Sequence, residues 1–216
     1  MRVVSLNVGK PQPMHYEGGV IETGIGKEPA AAGLVALTAT QLEGDGQADR
    51  INHGGPDKAV CVYAFEHYSY WERELHRKLA YGAFGENLTV LGLTEDQVCI
   101  GDIYSIGDVV LQVSQPRQPC HKLAKKYNLP DLPARVQQTG YTGFYFRVLQ
   151  TGMLDRSLPF VLEQRHPLGI TIDFANDVKY RDKRNRTAIQ AMLANEALSE
   201  SWRVSFQNRL TEDKPQ

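Results

Sequence analysis

The sequence contains few of the residues that mark disulfide-rich, metal-cluster or dinucleotide-binding proteins. Its three cysteines, Cys61, Cys99 and Cys120, are widely separated, and no two of them form a C-x-x-C pair. An odd number of isolated cysteines disfavours a disulfide framework, a zinc ribbon and an iron–sulfur site. The glycines nowhere form the Gly-x-Gly-x-x-Gly fingerprint of a dinucleotide site. A single reactive thiol is the cysteine chemistry that these absences leave open.

Long apolar runs and a large net charge are also lacking. No segment is long and apolar enough to cross a bilayer. The apolar run within the first ten residues, MRVVSLNVGK, is too short for the core of a signal peptide. We therefore predict a cytoplasmic protein with no membrane partner. A net charge of -1 argues against a surface built wholly for nucleic acid or anionic lipid. Any basic binding site must be local.

The first three quarters of the chain read as short strands separated by turn residues. Alternating or β-branched runs bounded by Gly, Asp, Asn or Pro predict strands at 3–8, 33–38, 59–65, 87–91, 103–106 and 109–114. Two Ile-Gly-Asp triplets, at 100–102 and 106–108, bracket a strand and the turn after it, where glycine permits the positive φ of a tight hairpin. One helix is predicted over 66–75, because Tyr68, Trp71 and Leu75 would share a face. The fold class is predicted as mostly β with appended helices.

The last fifty residues change to helical periodicity. Three short amphipathic helices are predicted at 170–180, 186–193 and 200–210, with Asn185 and Ser199 as N-caps. We place a β domain at 1–165, a three-helix unit at 166–210 and a polar tail at 211–216. The basic run 179–186 keeps nucleic-acid binding as an unfavoured alternative. The apolar face of the third helix makes a homodimer conceivable.

The stretch Ser-Gln-Pro-Arg-Gln-Pro-Cys-His-Lys-Leu at 114–123 carries the strongest chemical signal. Proline is favoured at the first position of a helix, so Pro119 predicts that Cys120 lies in the first helical turn. Free backbone N–H groups there, together with Arg117, His121 and Lys122, would favour a thiolate. Cys120 could instead be a small apolar filler, but its polar and basic context fits that interpretation poorly. Cys61 and Cys99 are flanked by apolar strand residues and are predicted to be inert core.

Two further segments could contribute to a site. The loop Arg-Ile-Asn-His-Gly-Gly-Pro-Asp-Lys at 50–58 combines paired glycines, which let backbone N–H groups approach an anion, with basic residues at both ends. A simple chain reversal explains the glycines about as well. The segment Phe-Gly-Glu-Asn-Leu-Thr at 84–89 could offer a carboxylate and an amide to a heterocycle, although Gly-Glu-Asn is also ordinary turn chemistry.

The order and spacing of NHGGPDKAV, FGENLTV, IGD and LQVSQPRQPCHKL resemble the MOSC domain, the molybdenum cofactor sulfurase C-terminal family, and within it the YiiM-like bacterial proteins. The tail from Lys179 to Leu210 is similar to their three-helix extension. The resemblance implies a MOSC-type β-barrel in which Cys120 ligates molybdenum and serves as the catalytic residue. A thiolate suits such a soft metal site. The residues that could hold an anionic molybdopterin are Arg50, His53, Gly54, Gly55, Lys58, Glu86, Asn87 and Arg117, with Glu86 and Asn87 addressing pterin nitrogens.

The resemblance also implies a molybdenum-cofactor oxidoreductase that reduces N-hydroxylated compounds such as hydroxylamino base analogues. His53 or His121 would suit a proton donor, although structural roles for both are favoured. Because the chain carries neither a dinucleotide fingerprint nor a cysteine cluster, a separate flavin or iron–sulfur reductase is the expected electron donor. The alternative is a sulfur or molybdenum-cofactor carrier that uses Cys120 without turnover, as a persulfide for example.

Overall fold

The computed structural model of the protein describes residues 1–49 and 54–212. Short β-strands make up most of the regular structure before residue 165, and six α-helices are described over the same ranges. The strands are β1 Arg2–Val8, β2 Gln12–Tyr16, β3 Gly19–Thr23, β4 Glu28–Pro29, β5 Leu34–Leu37, β6 Val60–Ala64, β7 Leu88–Leu91, β8 Ile103–Ile106, β9 Val109–Pro116, β10 Phe144–Gln150, β11 Gly152–Asp155 and β12 Phe160–Gln164. The helices are α1 Tyr68–Glu74, α2 His121–Tyr127, α3 Leu132–Thr139, α4 Ile172–Asn176, α5 Arg186–Ala194 and α6 Glu200–Glu212.

Eight strands form one curled, half-barrel sheet in the order β12-β8-β9-β10-β6-β7-β1-β4. Neighbouring strands run antiparallel except β6 and β7, which pair in parallel. A parallel pair needs a crossover, and α1 lies in the connection that supplies it. Two small sheets, β2 with β3 and β5 with β11, complete the β structure. The predicted fold class, mostly β with appended helices, is confirmed.

Most predicted elements lie where the sequence placed them. The six predicted strands correspond to β1 and β5–β9, and Gly107 takes φ 56° in the β8–β9 hairpin, as the tight turn requires. The predicted helix at 66–75 is a 3₁₀ turn, Phe65–His67, followed by α1, and its buried side chains are Tyr68 and Trp71. Sequence patterns missed α3, the β2–β3 hairpin and the strands β10–β12.

The three C-terminal helices are confirmed, with one irregularity. After α4 the chain continues as a π-helix, Asp177–Arg181, before α5 begins. Asn185 caps α5 as predicted, because its side-chain oxygen accepts a hydrogen bond of 2.9 Å from the Ala188 N–H. No helix among the described residues has the length and apolarity that a bilayer crossing needs.

The helical unit shares the hydrophobic core of the sheet. Trp202 and Phe206 on α6 are buried in the same cluster as Val113 on β9 and Phe144 on β10. A second, smaller cluster around Trp71 and Phe84 joins α1, α2 and α3. The C-terminal helices therefore pack on the sheet and complete the main core. The boundary at residue 165 stays a prediction.

Candidate functional site

An open cleft lies where the end of β9 meets β6, β10 and the loop before β4. About 550 Å³ of space between protein atoms lies in this cleft, part of it open to solvent. Four cationic side chains and no carboxylate are among its described lining residues, so its field favours an anion. The lining comprises Thr23, Gly24, Ile25, Lys27, Gly46, Gln47, Ala48, Lys58, Cys61, Gly85, Asn87, Arg117, Cys120, Lys122 and Tyr145.

Cys120 is the cysteine that reaches this cleft with partial exposure, whereas Cys61 and Cys99 are buried. Its backbone is extended, with φ -116° and ψ 167°, and it forms the N-cap of α2, which begins at His121. The prediction that Pro119 opens the helix is thus wrong by two residues. Because the backbone of Cys120 is extended, the helix cannot begin before His121. The thiol still lies at the start of the helix.

Arg117 is buried beside Cys120 and has an incomplete set of partners. Its Nη2 donates a hydrogen bond to the Phe84 carbonyl oxygen. Its Nη1 is buried without any hydrogen-bond partner in the structure. Burial alone would lower the pKa of Arg117, but the nearby Cys61, Tyr145, Cys120 and Glu86 raise that pKa above its ordinary value. A charged guanidinium with one unpaired N–H group, lining an open cleft, can bind an oxyanion.

Lys27 and Asn87 belong to a polar network on one wall. Asp45 forms a salt bridge with Lys27 and accepts hydrogen bonds of 2.9 Å from Asn87 Nδ2 and 3.0 Å from the Gly9 N–H. The Asn87 side-chain oxygen accepts from the Cys61 N–H at 3.0 Å. Asn87 therefore lines the cleft, and its amide group also ties together three parts of the fold. Its role in cofactor binding stays a prediction.

Glu86 has a different place from the one predicted. It is fully buried, and the described lining of the cleft does not include it. Its carboxylate accepts hydrogen bonds from the Tyr68 hydroxyl, from the Gly82 N–H at 3.1 Å, from the Phe84 N–H at 3.0 Å and from the Thr89 hydroxyl at 2.9 Å. With these donors in place, Glu86 stabilises its own loop, and the prediction that it addresses pterin nitrogens is corrected.

The Gly-Gly-Pro loop contributes one side chain to the described lining. Gly55 takes φ 93° and leads into a 3₁₀ turn, Pro56–Lys58, which brings Lys58 to the cleft. Burial lowers the pKa of Lys58, while Asp57 and Asp49 oppose that shift. Gly54 and Gly55 are not among the described lining residues. The predicted residues Arg50 and His53 lie outside the described residues.

Sequence patterns missed two side chains on the floor of the cleft. Tyr145 on β10 and Cys61 on β6 are cross-strand partners and both line the cavity. Burial raises the pKa of the Cys61 thiol to about 11, although Arg117 acts in the opposite direction. Burial also raises the pKa of the Tyr145 phenol, so its hydroxyl keeps its proton. His121, predicted as a possible proton donor, is exposed and absent from the described lining.

Comparisons with known proteins identify the family of this chain. The model of the MOSC domain matches residues 49–157, which include Lys58, Arg117 and Cys120. The chain belongs to the MOSC domain family. A second model, described as the YiiM-like 3-alpha helix domain, matches residues 170–212. The crystal structure of YiiM from Geobacillus stearothermophilus is similar, with a TM-score of 0.82 and 46% identity over 97% of this chain and 98% of that one.

Two curated relatives extend the comparison. The uncharacterized protein YflK of Bacillus subtilis is 56% identical over 96% of this chain and 93% of its own length. A protein of Gibberella moniliformis named Reductase is 36% identical over 76% of this chain, which matches 30% of that longer protein. This MOSC family member therefore has relatives both of its own size and within a larger chain.

Proposed function

We propose that the protein is a molybdenum-cofactor-dependent reductase of N-hydroxylated compounds, such as hydroxylamino base analogues, with Cys120 as the metal ligand. Membership of the MOSC family and the similarity to a protein named Reductase support a cofactor-related redox function. The observation that carries the proposal is the thiol of Cys120 beside an unpaired Arg117 N–H in a cleft lined by cations.

The side chains around the cleft fit an anionic pterin cofactor. A thiolate is a soft ligand of the kind that molybdenum accepts, and the partly exposed Cys120 lines the cleft. The buried Nη1 of Arg117 lacks an acceptor, and a phosphate or pterin oxygen would supply one. Lys58 and Lys122 add positive charge from two further parts of the chain. Lys27 would contribute less, because Asp45 already balances its charge.

The bound cofactor would supply the two-electron chemistry that removes oxygen from an N–OH group. The protein would supply ligation, orientation and charge. Cys120 would hold the metal at the mouth of the cleft, while Arg117 and Lys58 hold the anionic part of the cofactor. The hydroxyl of Tyr145 keeps its proton and lies in the same cleft, so it can donate a hydrogen bond to an oxygen bound there.

Electrons would come from a separate flavin or iron–sulfur reductase. The chain carries no dinucleotide fingerprint and no cysteine cluster of its own. We expect purified protein to reduce an N-hydroxylated purine with a nicotinamide cofactor only after such a reductase is added. Turnover by the purified protein alone with the nicotinamide cofactor would contradict this partner.

Elemental and pterin analysis of the native protein tests the central claim. We expect stoichiometric molybdenum in the wild type, its loss in Cys120→Ala, and its retention in Cys99→Ala. Cys99 is a matched control because it is a buried cysteine that contacts Arg165 and does not line the cleft. A sulfur adduct on Cys120 in protein that lacks molybdenum would overturn the reductase proposal and favour a sulfur carrier.

A further inference from the structure

The start of the last helix is hydrogen-bonded to the backbone that leads to Cys120. The Ser199 N–H donates to the Ser114 carbonyl oxygen at 3.0 Å, and the Ser201 hydroxyl donates to the Gln115 side-chain oxygen at 3.2 Å. Ser114 and Gln115 lie near the end of β9, shortly before Arg117 and Cys120 in the chain. The helical unit therefore holds the segment that delivers two cleft side chains.

The same helix start also contacts the turn that carries Lys58. The Glu200 N–H donates to Asp57 Oδ2 at 3.2 Å, and Asp57 directly precedes Lys58 in the 3₁₀ turn that reaches the cleft. The carbonyl oxygen of Asp57 accepts a hydrogen bond of 2.5 Å from the Ser114 hydroxyl. One residue thus links the helical unit, the Lys58 turn and the end of β9.

The other carboxylate oxygen of Asp57 connects this junction to β10. Arg147 donates to Asp57 Oδ1 from Nε at 2.9 Å and forms an ion pair with it through Nη2 at 2.7 Å. Arg147 lies two residues after Tyr145, whose side chain is on the cleft floor. A carboxylate at the N-terminal end of a 13-residue helix is favourably placed relative to the helix dipole. Asp57 is partly exposed, so its directed hydrogen bonds matter more than its net charge.

We propose that Asp57 is a positioning residue through which the three-helix unit fixes the positions of Lys58 and Cys120 relative to each other in the cleft. The unit then supports the site as well as the core. The inference rests on the proposed function only in treating this cleft as the working site, and it requires no bound metal. Its test therefore uses the reactivity of the Cys120 thiol in cofactor-free protein.

The first test compares Glu200→Pro with Glu200→Ala. Proline is tolerated at the first position of a helix and removes both the glutamate side chain and the N–H that donates to Asp57, whereas alanine removes the side chain alone. The rates of Cys120 modification by dithionitrobenzoate, an anionic disulfide, and by neutral iodoacetamide are measured, and their ratio reports the positive charge near the sulfur. We expect the ratio to fall about threefold in Glu200→Pro and to stay at the wild-type value in Glu200→Ala.

Asp57→Asn gives a second test, because a purely electrostatic effect and a loss of positioning would change the rate with the anionic reagent in opposite directions. Removing a negative charge near the cleft would, by electrostatics alone, speed the reaction with the anionic reagent. The amide keeps only one of the two acceptor oxygens, so Arg147 or the Glu200 N–H loses its acceptor; the resulting displacement of Lys58 would slow the reaction. We expect a slower reaction. A faster reaction in Asp57→Asn, or equal ratios in the two Glu200 variants, would overturn the proposal.

A third variant covers the possibility that Glu200→Pro fails to fold. Ser201→Ala removes the hydrogen bond to Gln115 without touching the backbone of the helix. We expect a smaller fall of the same ratio in this variant, with unchanged modification by iodoacetamide. An unchanged ratio in both Ser201→Ala and Asp57→Asn would also contradict the proposal. Loss of molybdenum from the native protein is not required for any of these outcomes.

Discussion

Two segments of the molecule, 84–89 and 117–122, each carry a buried ionisable side chain, and they differ in how well that side chain is satisfied. Glu86 accepts four hydrogen bonds from its own loop and its neighbours. Arg117 donates to Phe84 and leaves Nη1 without a partner. A buried polar group with all its partners stabilises the fold, and one that lacks a partner is costly unless a ligand supplies it. By this criterion Glu86 stabilises the fold, whereas Arg117 belongs to the candidate binding site.

The two segments are also joined. The Phe84 carbonyl oxygen accepts from Arg117, and Lys126 on α2 donates to the carbonyl oxygens of Ala83 at 2.7 Å, Gly82 at 3.2 Å and Ile25 at 3.3 Å. Ile25 lines the cleft. The loop that Glu86 stabilises therefore contacts the segment before α2 through Arg117 and the last turn of α2 through Lys126.

Removing the Glu86 carboxylate should have the largest effect on stability. Glu86→Ala leaves the N–H groups of Gly82 and Phe84 and two hydroxyls buried without an acceptor. We expect the free energy of unfolding to fall by about 3 to 5 kcal/mol, measured by urea denaturation. Glu74→Ala, at a half-exposed glutamate 3.8 Å from Arg135, is the control and should cost less than about 1 kcal/mol. Equal losses in the two variants would remove the distinction between the segments.

Lys126 should make the same loop pH-dependent. Burial lowers its pKa to about 8, below the value of 10.5 in the unfolded chain. A lowered pKa in the folded state means that the unfolded state binds more protons between these two values, so stability rises with pH across that window. Relative to Lys126→Met, wild-type protein should gain about 1 to 2 kcal/mol between pH 7 and pH 10 in urea denaturation. A difference that stays constant or falls with pH would contradict the assignment.

Arg117 should matter more for binding than for folding. In Arg117→Met, inorganic phosphate should bind about tenfold more weakly by calorimetry, because one charge-assisted donor pair is lost. Arg165→Met is the control, since Arg165 is paired with buried Asp102 at 2.7 Å and does not line the cleft. It should lower stability and leave the phosphate affinity unchanged. If Arg117→Met binds phosphate as the wild type does, Nη1 does not face the ligand.

Sequence patterns predict some of the residues in these two segments and miss others. Cys120 and Arg117 stand out in the sequence because prolines and basic residues around a cysteine have few structural explanations, and the strands at 59–65 and 109–114 follow from β-branched or alternating runs bounded by turn residues. Glu86 was misassigned because a Gly-Glu-Asn turn does not reveal how many donors surround the carboxylate. Sequence patterns do not reveal Tyr145, because β10 pairs with residues at least 28 positions earlier in the chain and such non-local pairing decides which face of Phe-Tyr-Phe meets the cleft.

The smallest effect should come from a tyrosine whose partner is shared. Tyr127 donates to the Ala83 carbonyl oxygen at 2.9 Å, and Lys126 donates to the same oxygen. Tyr127→Phe leaves that oxygen satisfied, so the expected cost is about 0.5 kcal/mol with no change in phosphate affinity. Tyr63→Phe makes the same chemical change, but the Tyr63 hydroxyl accepts a hydrogen bond of 2.6 Å from the buried Trp71 Nε1. Removing that hydroxyl leaves the Trp71 N–H without an acceptor. We expect about 2 kcal/mol there by urea denaturation. Similar costs for the two variants would mean that unsatisfied partners do not govern stability in this part of the molecule. The number of hydrogen-bond partners would then not distinguish Glu86, which stabilises its loop, from Arg117, which faces the cleft.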